Sequence, residues 1–439
     1  MEITVVGAGY VGAVTASCLA FLGHDVTILE ASAARLETLR GGTVPFYEPG
    51  LDEKLSEGLR AGRITVTDDA KAALSGREAL LVCVGTPLSK VGDADLRQVK
   101  AACRSIAEHG GDAVVIIRST LPLGSSPQLA EWLGRPELDG VVTNPEFLRE
   151  GTAVADFLRP TRIVIGTRDG SRDRGALIVE ALYAGIDAPL VVTDLGSAEM
   201  IKNASNAFLA TKLSFINEIA DLCEAYGADV NDVVLGMGLD PRIGSTYLRP
   251  GIGFGGSCLP KELANLVRLG RDRNMPMHML GSAGDANDER PSLIADRIAT
   301  IVGELVGQRV ALLGLAFKPD TDDIRYSPAV ALAVALIDRG ATVTAHDPAV
   351  SLAQLDDVAG LDRAASAEDA IRGAAIVVLA TEWQAYRDLD WAALRDEVGT
   401  PIVFDGRNAL DEELLGRAGW QVYRVGAAGG SRAAAGVTR

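Results

Sequence analysis

Histidine is scarce in this 439-residue chain, and His24, His109, His278 and His346 stand at no metal-ligand spacing, so no resident metal is expected. The five cysteines, Cys18, Cys83, Cys103, Cys223 and Cys258, are odd in number and include no C-x-x-C pair. That pattern argues against a disulfide framework and against a zinc site. Long hydrophobic runs are missing too: none approaches the roughly 18–20 residues that span a bilayer. The N-terminus, Met1 to Gly7, has no basic leader and reads at once as a strand. Positive charge is short, with 42 Lys and Arg against 59 Asp and Glu and a formal net charge of −17. Neither nucleic acid nor a membrane surface is therefore an expected partner. Any anionic ligand must be held by a local cluster of Lys, Arg and backbone N–H groups. What remains, 48% hydrophobic and 23% charged residues, predicts a globular cytoplasmic protein of two or three domains.

The chain opens with a strand, then Gly7-Ala8-Gly9-Tyr10-Val11-Gly12, then a helical run over Ala13 to Leu22. A second strand, Val26 to Leu29, ends on Glu30. G-x-G-x-x-G alone is weak, but strand, glycines, helix, strand and acid in this order form the dinucleotide-binding fingerprint. The helix N-terminus takes the pyrophosphate and the acid takes the adenosine ribose. A carboxylate at Glu30 repels a 2′-phosphate, which favours NAD over NADP. Further strands over 79–84 and 113–117 end in Gly85-Thr86-Pro87 and Arg118-Ser119-Thr120. In doubly wound sheets ligands bind at such strand ends, so Thr86 and Thr120 should face the cofactor, although each alone also reads as an ordinary turn residue.

The pattern recurs late in the chain. Residues 309–317 read as a strand, 328–338 as a helix, 341–346 as a second strand ending near Asp347, and 374–381 as a third. The glycine triplet is absent there and Phe317-Lys318-Pro319-Asp320-Thr321 stands instead, which implies a different ligand and a lysine supplied for charge. Between the halves, 197–226 is apolar at helical spacing without Pro or Gly, and a helix of some 30 residues is about 45 Å long. It reads as a rigid spacer and dimer surface. The small, polar residues from 426 to 439 read as disordered.

Chemistry concentrates in Gly253-Phe254-Gly255-Gly256-Ser257-Cys258-Leu259-Pro260-Lys261. A thiol becomes a useful nucleophile when a cation or a helix N-terminus lowers its pKa, and Pro260 suits the first turn of a helix starting just after Cys258. A buried cysteine in a glycine-rich turn is the competing reading. Cys18, Cys83, Cys103 and Cys223 lie in apolar or helical contexts and read as core. Lys202 and Asn206 are four apart on the long helix, and Glu146 and Glu150 are four apart after the strand 141–143. Singly, these also read as a solvated stripe and a charged loop.

Taken in order, GAGYVG at 7–12, YEPGL at 47–51, GTP at 85–87, NPEFLREG at 144–151, EMIKNASNAF at 199–208, GFGGSCLPK at 253–261 and FKPDTDDIR at 317–325 resemble the UDP-glucose/GDP-mannose dehydrogenase family. TEW at 381–383 and DGRN at 405–408 agree. The resemblance implies an α/β fold: two Rossmann-like, doubly wound parallel-sheet domains joined by a long central helix and a helical dimerisation region. It implies an NAD-binding domain over 1–195, a central domain over 196–298, a UDP-sugar-binding domain over 299–425 and the tail over 426–439. The activity implied is a four-electron, NAD-dependent oxidation of a nucleotide sugar through a Cys258 thiohemiacetal and thioester.

Lys202 is the expected oxyanion cation, Asn206 holds the water or hydroxyl, and Glu146 is the base, with Glu262 and Thr120 in the same catalytic set. NAD is expected at Gly7, Gly9, Tyr10, Val11, Gly12, Glu30, Arg35, Thr86, Thr120, Glu150, Lys261 and Arg325. The nucleotide sugar is expected along Phe147, Leu148, Arg149 and Glu150, at Lys202, Asn206, Tyr247, Leu248, Arg249, Pro250, Gly251 and Gly255, with Lys318 on the diphosphate. Arg242 resembles an arginine that reaches the sugar from the second subunit of a homodimer. YEPG and GIGF favour UDP-glucose as substrate over GDP-mannose, and Ser257 argues against N-acetylated sugars; a non-catalytic sensor of NAD and nucleotide sugar is the alternative of another class. Glu262 departs from the family's usual Asp by one methylene, about 1.5 Å.

Overall fold

A computed structural model describes residues 1–87, 94–355 and 358–429. The tail expected to be disordered, from 430 on, lies outside the described residues. Two compact units are present, Met1–Ser205 and Asn206–Arg439. The change of unit falls within one helix, Leu195–Tyr226, so the residues 196–298 expected as a separate domain are shared between the units.

The first unit holds an eight-stranded sheet: β1 (Glu2–Val6), β2 (Asp25–Leu29), β3 (Ile64–Thr67), β4 (Ala79–Val82), β5 (Val114–Ile117), β6 (Val141–Thr143), β7 (Ile163–Thr167) and β8 (Leu190–Asp194). The spatial order is β3-β2-β1-β4-β5-β6-β7-β8. All neighbours are parallel except β6 and β7, so β7 and β8 run against the rest. The expectation of a parallel, doubly wound sheet holds for the first six strands, and that antiparallel edge is the addition. Strands β1, β4 and β5 are nearly continuous apolar runs buried on both faces, the signature of a parallel sheet covered by helices. Each fully buried Ile or Leu among them contributes about 1.5–3 kcal/mol relative to exposure.

The second unit repeats the plan in six parallel strands: β9 (Arg309–Leu313), β10 (Thr342–His346), β11 (Leu361–Arg363), β12 (Ile376–Leu379), β13 (Ile402–Asp405) and β14 (Gln421–Arg424), ordered β11-β10-β9-β12-β13-β14. Trp391 and Trp420 close its core edge to face, with ring centroids 5.3 Å apart.

Several boundaries differ from the sequence reading. The strand expected over 309–317 stops at Leu313 because Gly314 turns the chain at φ +99°. The first helix starts at Tyr10, not Ala13, because it begins inside the glycine triplet. The packed chain also runs past the expected boundary at 425/426. Val425 is fully buried, Gly426 N donates to Glu224 Oε1 at 2.5 Å, and Gly426 O accepts from Val230 N at 2.9 Å.

Candidate functional site

In the first unit the strand ends are built for a dinucleotide. Gly7 leaves β1 at φ +90°, and a Cβ on Gly12 would lie 1.9 Å from Gly7 O, so only glycine lets this helix pack so close to the strand. A Cβ on Gly9 would meet nothing within 4 Å, so space stays open beside the N-terminus of the helix Tyr10–Phe21. That end has no side-chain cap, and the first amides of a helix lack intrahelical acceptors, which suits a phosphate group. Glu30, at the end of β2, accepts from Ala8 N (2.9 Å), Ser32 N (2.8 Å) and Arg35 Nη1 (3.1 Å). Burial works to raise its carboxyl, but those amides and the guanidinium outweigh burial and hold it below the ordinary value. The cradle therefore fits a dinucleotide with an unmodified ribose.

Beyond β4 and β5, Thr86 Oγ1 donates to Thr120 O at 2.9 Å and ties the two cofactor-edge loops together. After β6 the chain carries Glu146, 6% exposed. Lys202, 3% exposed, donates from Nζ to Glu146 Oε1 at 2.9 Å and to Glu146 O at 2.7 Å. Leu148 N donates to Glu146 Oε2 at 2.7 Å. Burial pushes the Glu146 carboxyl up, yet the Lys202 ammonium, the Leu148 amide and the Arg118 charge bring it below its ordinary value. Glu146 is thus an anion bound to an ammonium. Arg162 lies over the Phe147 ring, 3.7 Å from its centroid. Arg149 turns to Asp156, bonding it through its backbone N and its guanidinium.

In the second unit Cys258 is the N-cap residue of the helix Leu259–Asp272, with Pro260 in its first turn as expected. It is half-buried, whereas Cys18, Cys83, Cys103 and Cys223 are buried. Burial pushes the Cys18, Cys83 and Cys103 thiols up to about 12, which leaves them inert. Four residues into that helix, Glu262 is 1% exposed and accepts from Asn206 Nδ2 at 2.6 Å.

The preceding loop is held at Gly251, Gly253 and Phe254. Gly251 N donates to Asn217 Oδ1 (2.8 Å) and Gly251 O accepts from Arg290 Nε (2.5 Å). Asn287 takes both backbone groups of Phe254. Arg407 donates to Gly253 O, Phe317 O and Ala380 O. A Cβ on Gly255 would lie 2.3 Å from Tyr326 O, and Gly256, at φ +83°, packs on the Phe317 ring. Lys318 Nζ sits 5.5 Å from that ring's centroid.

The predicted residues thus divide by unit. Tyr10, Val11, Glu30, Arg35, Thr86, Thr120, Glu146 to Glu150 and Lys202 belong to the first. Asn206, Arg242, Tyr247 to Gly251, Gly255, Cys258, Lys261, Glu262, Lys318 and Arg325 belong to the second. Leu248 is buried, Tyr247 adopts φ +59°, and Arg249 is exposed. The guanidinium of Arg325, expected on NAD, is bidentate to Asp323, and that of Arg242 is bidentate to Asp240. Sequence reasoning missed Glu48, Asn217, Asn287, Arg290 and Asp347 and gave Arg407 no role. Glu48 and Arg407 stood in quoted motifs and Asp347 at the end of an expected strand, and only Asn217, Asn287 and Arg290 lacked a sequence signal.

Comparison with known proteins is uniform along the chain. Residues 1–187 match the NAD binding domain of the UDP-glucose/GDP-mannose dehydrogenase family, 196–289 its central domain and 311–412 its UDP binding domain. The UDP-glucose 6-dehydrogenase of Rhizobium meliloti is 42% identical over 436 residues, covering 97% of this chain and 99% of the relative. One from Bacillus subtilis is 40% identical over 434 residues, with 97% and 98% covered. A solved UDP-glucose dehydrogenase from Pyrobaculum islandicum superposes with a TM-score of 0.87 at 36% identity, over 97% of this chain and 98% of that one.

Proposed function

The chain belongs to the UDP-glucose/GDP-mannose dehydrogenase family, with NAD as cofactor, and from that premise we propose that it oxidises UDP-glucose to UDP-glucuronate in the cytoplasm. NAD, when bound, accepts a hydride from the sugar C6 at each of two oxidations. The observation that carries the reading is the half-buried thiol of Cys258 at a helix N-cap, behind a loop pinned by Asn217, Arg290, Asn287 and Arg407. The positive end of the helix favours negative charge at that place.

The residues act as follows. Asn206 orients the C6 hydroxyl, and Lys202 stabilises the oxygen as its proton passes to water and loss of the C6 hydride leaves the aldehyde. Cys258 Sγ then adds to the C6 aldehyde, forming a C–S bond and a thiohemiacetal. Loss of the C6 hydride, with the thiohemiacetal hydroxyl proton passing to water, leaves a thioester. Water adds to it with its proton passing to Glu146, the C–S bond breaks, and the thiolate returns. Taking that proton neutralises Glu146 and frees the Lys202 ammonium it had paired with to stabilise the oxyanion that forms as water adds. Glu262 fixes Asn206, Thr120 borders the cofactor, and Lys318 meets the diphosphate. Phe208, Phe215 and Leu222 recur at seven-residue spacing on the long helix and are exposed, which supports a homodimer through that helix, with Arg242 reaching the partner's sugar.

NADH formation with UDP-glucose and GDP-mannose, each supplied separately with excess NAD, tests the reading. Turnover with UDP-glucose alone is expected. Turnover with GDP-mannose alone would move the substrate to the other branch, and binding of both ligands without turnover would favour a sensor.

A further inference from the structure

Glu48, in the segment between the second and third helices of the first unit, is a buried carboxylate that the chemistry above does not use. It is 6% exposed, and no Lys or Arg lies within ion-pair distance of it among the described residues. A buried carboxylate without a cation must be satisfied by hydrogen-bond donors, and three converge here from distant parts of the chain. Tyr10 Oη and Gly151 N donate to Glu48 Oε2, the latter at 2.6 Å, and Ala153 N donates to Oε1 at 2.7 Å. Tyr10 is the first residue of the fingerprint helix, with its ring 5.1 Å from that of Phe46. Burial first, then the Glu48 carboxylate, pushes the Tyr10 phenol above its ordinary value, so the phenol stays protonated and donates.

The other two donors close the segment that starts at Glu146. Its beginning is fixed by Lys202 on Glu146 and by Leu148 N on the same carboxylate. Its end is fixed at Gly151, where φ is +78°, and at the first turn of the helix Ala153–Leu158 by Glu48. Phe147 to Glu150, which the family resemblance places along the sugar, thus hang between two buried carboxylates, and the second also holds the residue at the dinucleotide end of the fingerprint helix.

We infer that Glu48 is a positioning residue that couples the two ligands: by holding Tyr10 and Gly151 on one carboxylate oxygen, it links occupancy of the fingerprint helix N-terminus to the geometry of the Phe147–Glu150 segment. This rests on the functional reading above. Linkage is reciprocal, so the sugar nucleotide tightens the dinucleotide by the factor with which the dinucleotide tightens the sugar nucleotide.

Tyr10→Phe keeps the ring and leaves the Gly151 and Ala153 bonds in place, so it cuts the coupling arm alone. Glu48→Gln removes an acceptor for the amides as well. NADH affinity is measured by fluorescence on the full chain with and without UDP-glucose, a pair that cannot react, and thermal midpoints are recorded alongside. In the unaltered protein UDP-glucose is expected to tighten NADH several-fold. Tyr10→Phe should bring that factor close to one, and Glu48→Gln should do the same with a lower midpoint. A factor of one in the unaltered protein, or a factor that survives Tyr10→Phe, overturns the inference, as does a fall in midpoint alone. Absence of any NADH or UDP-glucose binding by the unaltered protein would instead overturn the functional reading.

Discussion

Gly7 and Gly314 hold the same place in the two sheets. Each closes a central strand at positive φ, +90° and +99°, and each donates its N–H to the last residue of the neighbouring strand, Leu29 O and His346 O, at 2.8 Å. An acid follows in both, Glu30 and Asp347. After Gly7 the helix begins within three residues, and its N-terminus is left to a ligand. After Gly314 the amides of Leu315 and Ala316 are taken by Asp347 Oδ2, at 2.7 and 3.0 Å, and the next helix starts only at Pro328. Asp347 Oδ1 also accepts from Ala349 and Val350. In both sheets the acid takes the first amide after the glycine, Ala8 and Leu315, but only Asp347 takes the second as well; the first sheet then opens onto an uncapped helix N-terminus, and the other onto a loop with Lys318. The strand plan sets where a ligand can bind, and the few residues after the glycine set which ligand.

The largest effect that sharpens this contrast comes from Gly12→Ala, whose Cβ would meet Gly7 O at 1.9 Å. NADH affinity should fall by 100-fold or more, roughly, or the first unit should fail to fold, a cost of about 3 kcal/mol or more. Gly314→Ala should lower thermal stability through its clash with Thr381, 2.3 Å away, and leave NADH affinity within about 2-fold. Equal losses of NADH affinity in both would break the comparison.

The acids separate more gently. Glu30→Gln should weaken NADH by about 10-fold and narrow its advantage over NADPH, as a charge next to the ribose is lost. Asp347→Asn should cost about 1–3 kcal/mol of stability, because Asn keeps only one acceptor oxygen and so leaves two of the four amides without a partner, with both ligand affinities kept. Denaturant midpoints and titrations on the two variants read this directly.

The smallest expected effect concerns Glu199, one turn before Asn203 on the long helix and 4% exposed. Burial, only partly offset by Gly124 N, pushes its carboxyl up to about 7. A raised carboxyl contributes its stability below the unfolded value of about 4.5 and loses it as pH rises through about 7. Glu199→Gln should therefore match the unaltered protein near pH 5 and exceed it at pH 8, by an amount on the order of 2 kcal/mol. Thermal midpoints that stay parallel at the two pH values would contradict this.

Much of the frame was legible in the sequence because it is local. The fingerprint, the apolar strands and the Pro260 helix start each follow from neighbouring residues. Extents were less legible: the strand expected to 317 ends at Leu313, since one glycine at positive φ outweighs the apolar residues after it. The strands β3, β7, β8, β11, β13 and β14 were not anticipated. Of the candidate site, motif spacing singled out Cys258, Lys202 and Glu146, and the structure puts Lys202 on Glu146 and Cys258 at a helix N-cap. Glu48, Asn287 and Asp347 act over separations of 30 to over 100 residues; a short pattern marked the positions of Glu48 and Asp347, but none announces which distant backbone groups a side chain will hold.

The central claim is that the thiol of Cys258 carries the second oxidation. NADH formed per UDP-glucose consumed, in excess NAD, tests it most directly, compared between the unaltered protein and Cys258→Ser. Two NADH per sugar are predicted for the first, with overall turnover falling at least about 1,000-fold in the second. A Cys258→Ser protein that still forms two NADH per sugar at near-normal rate would contradict the account.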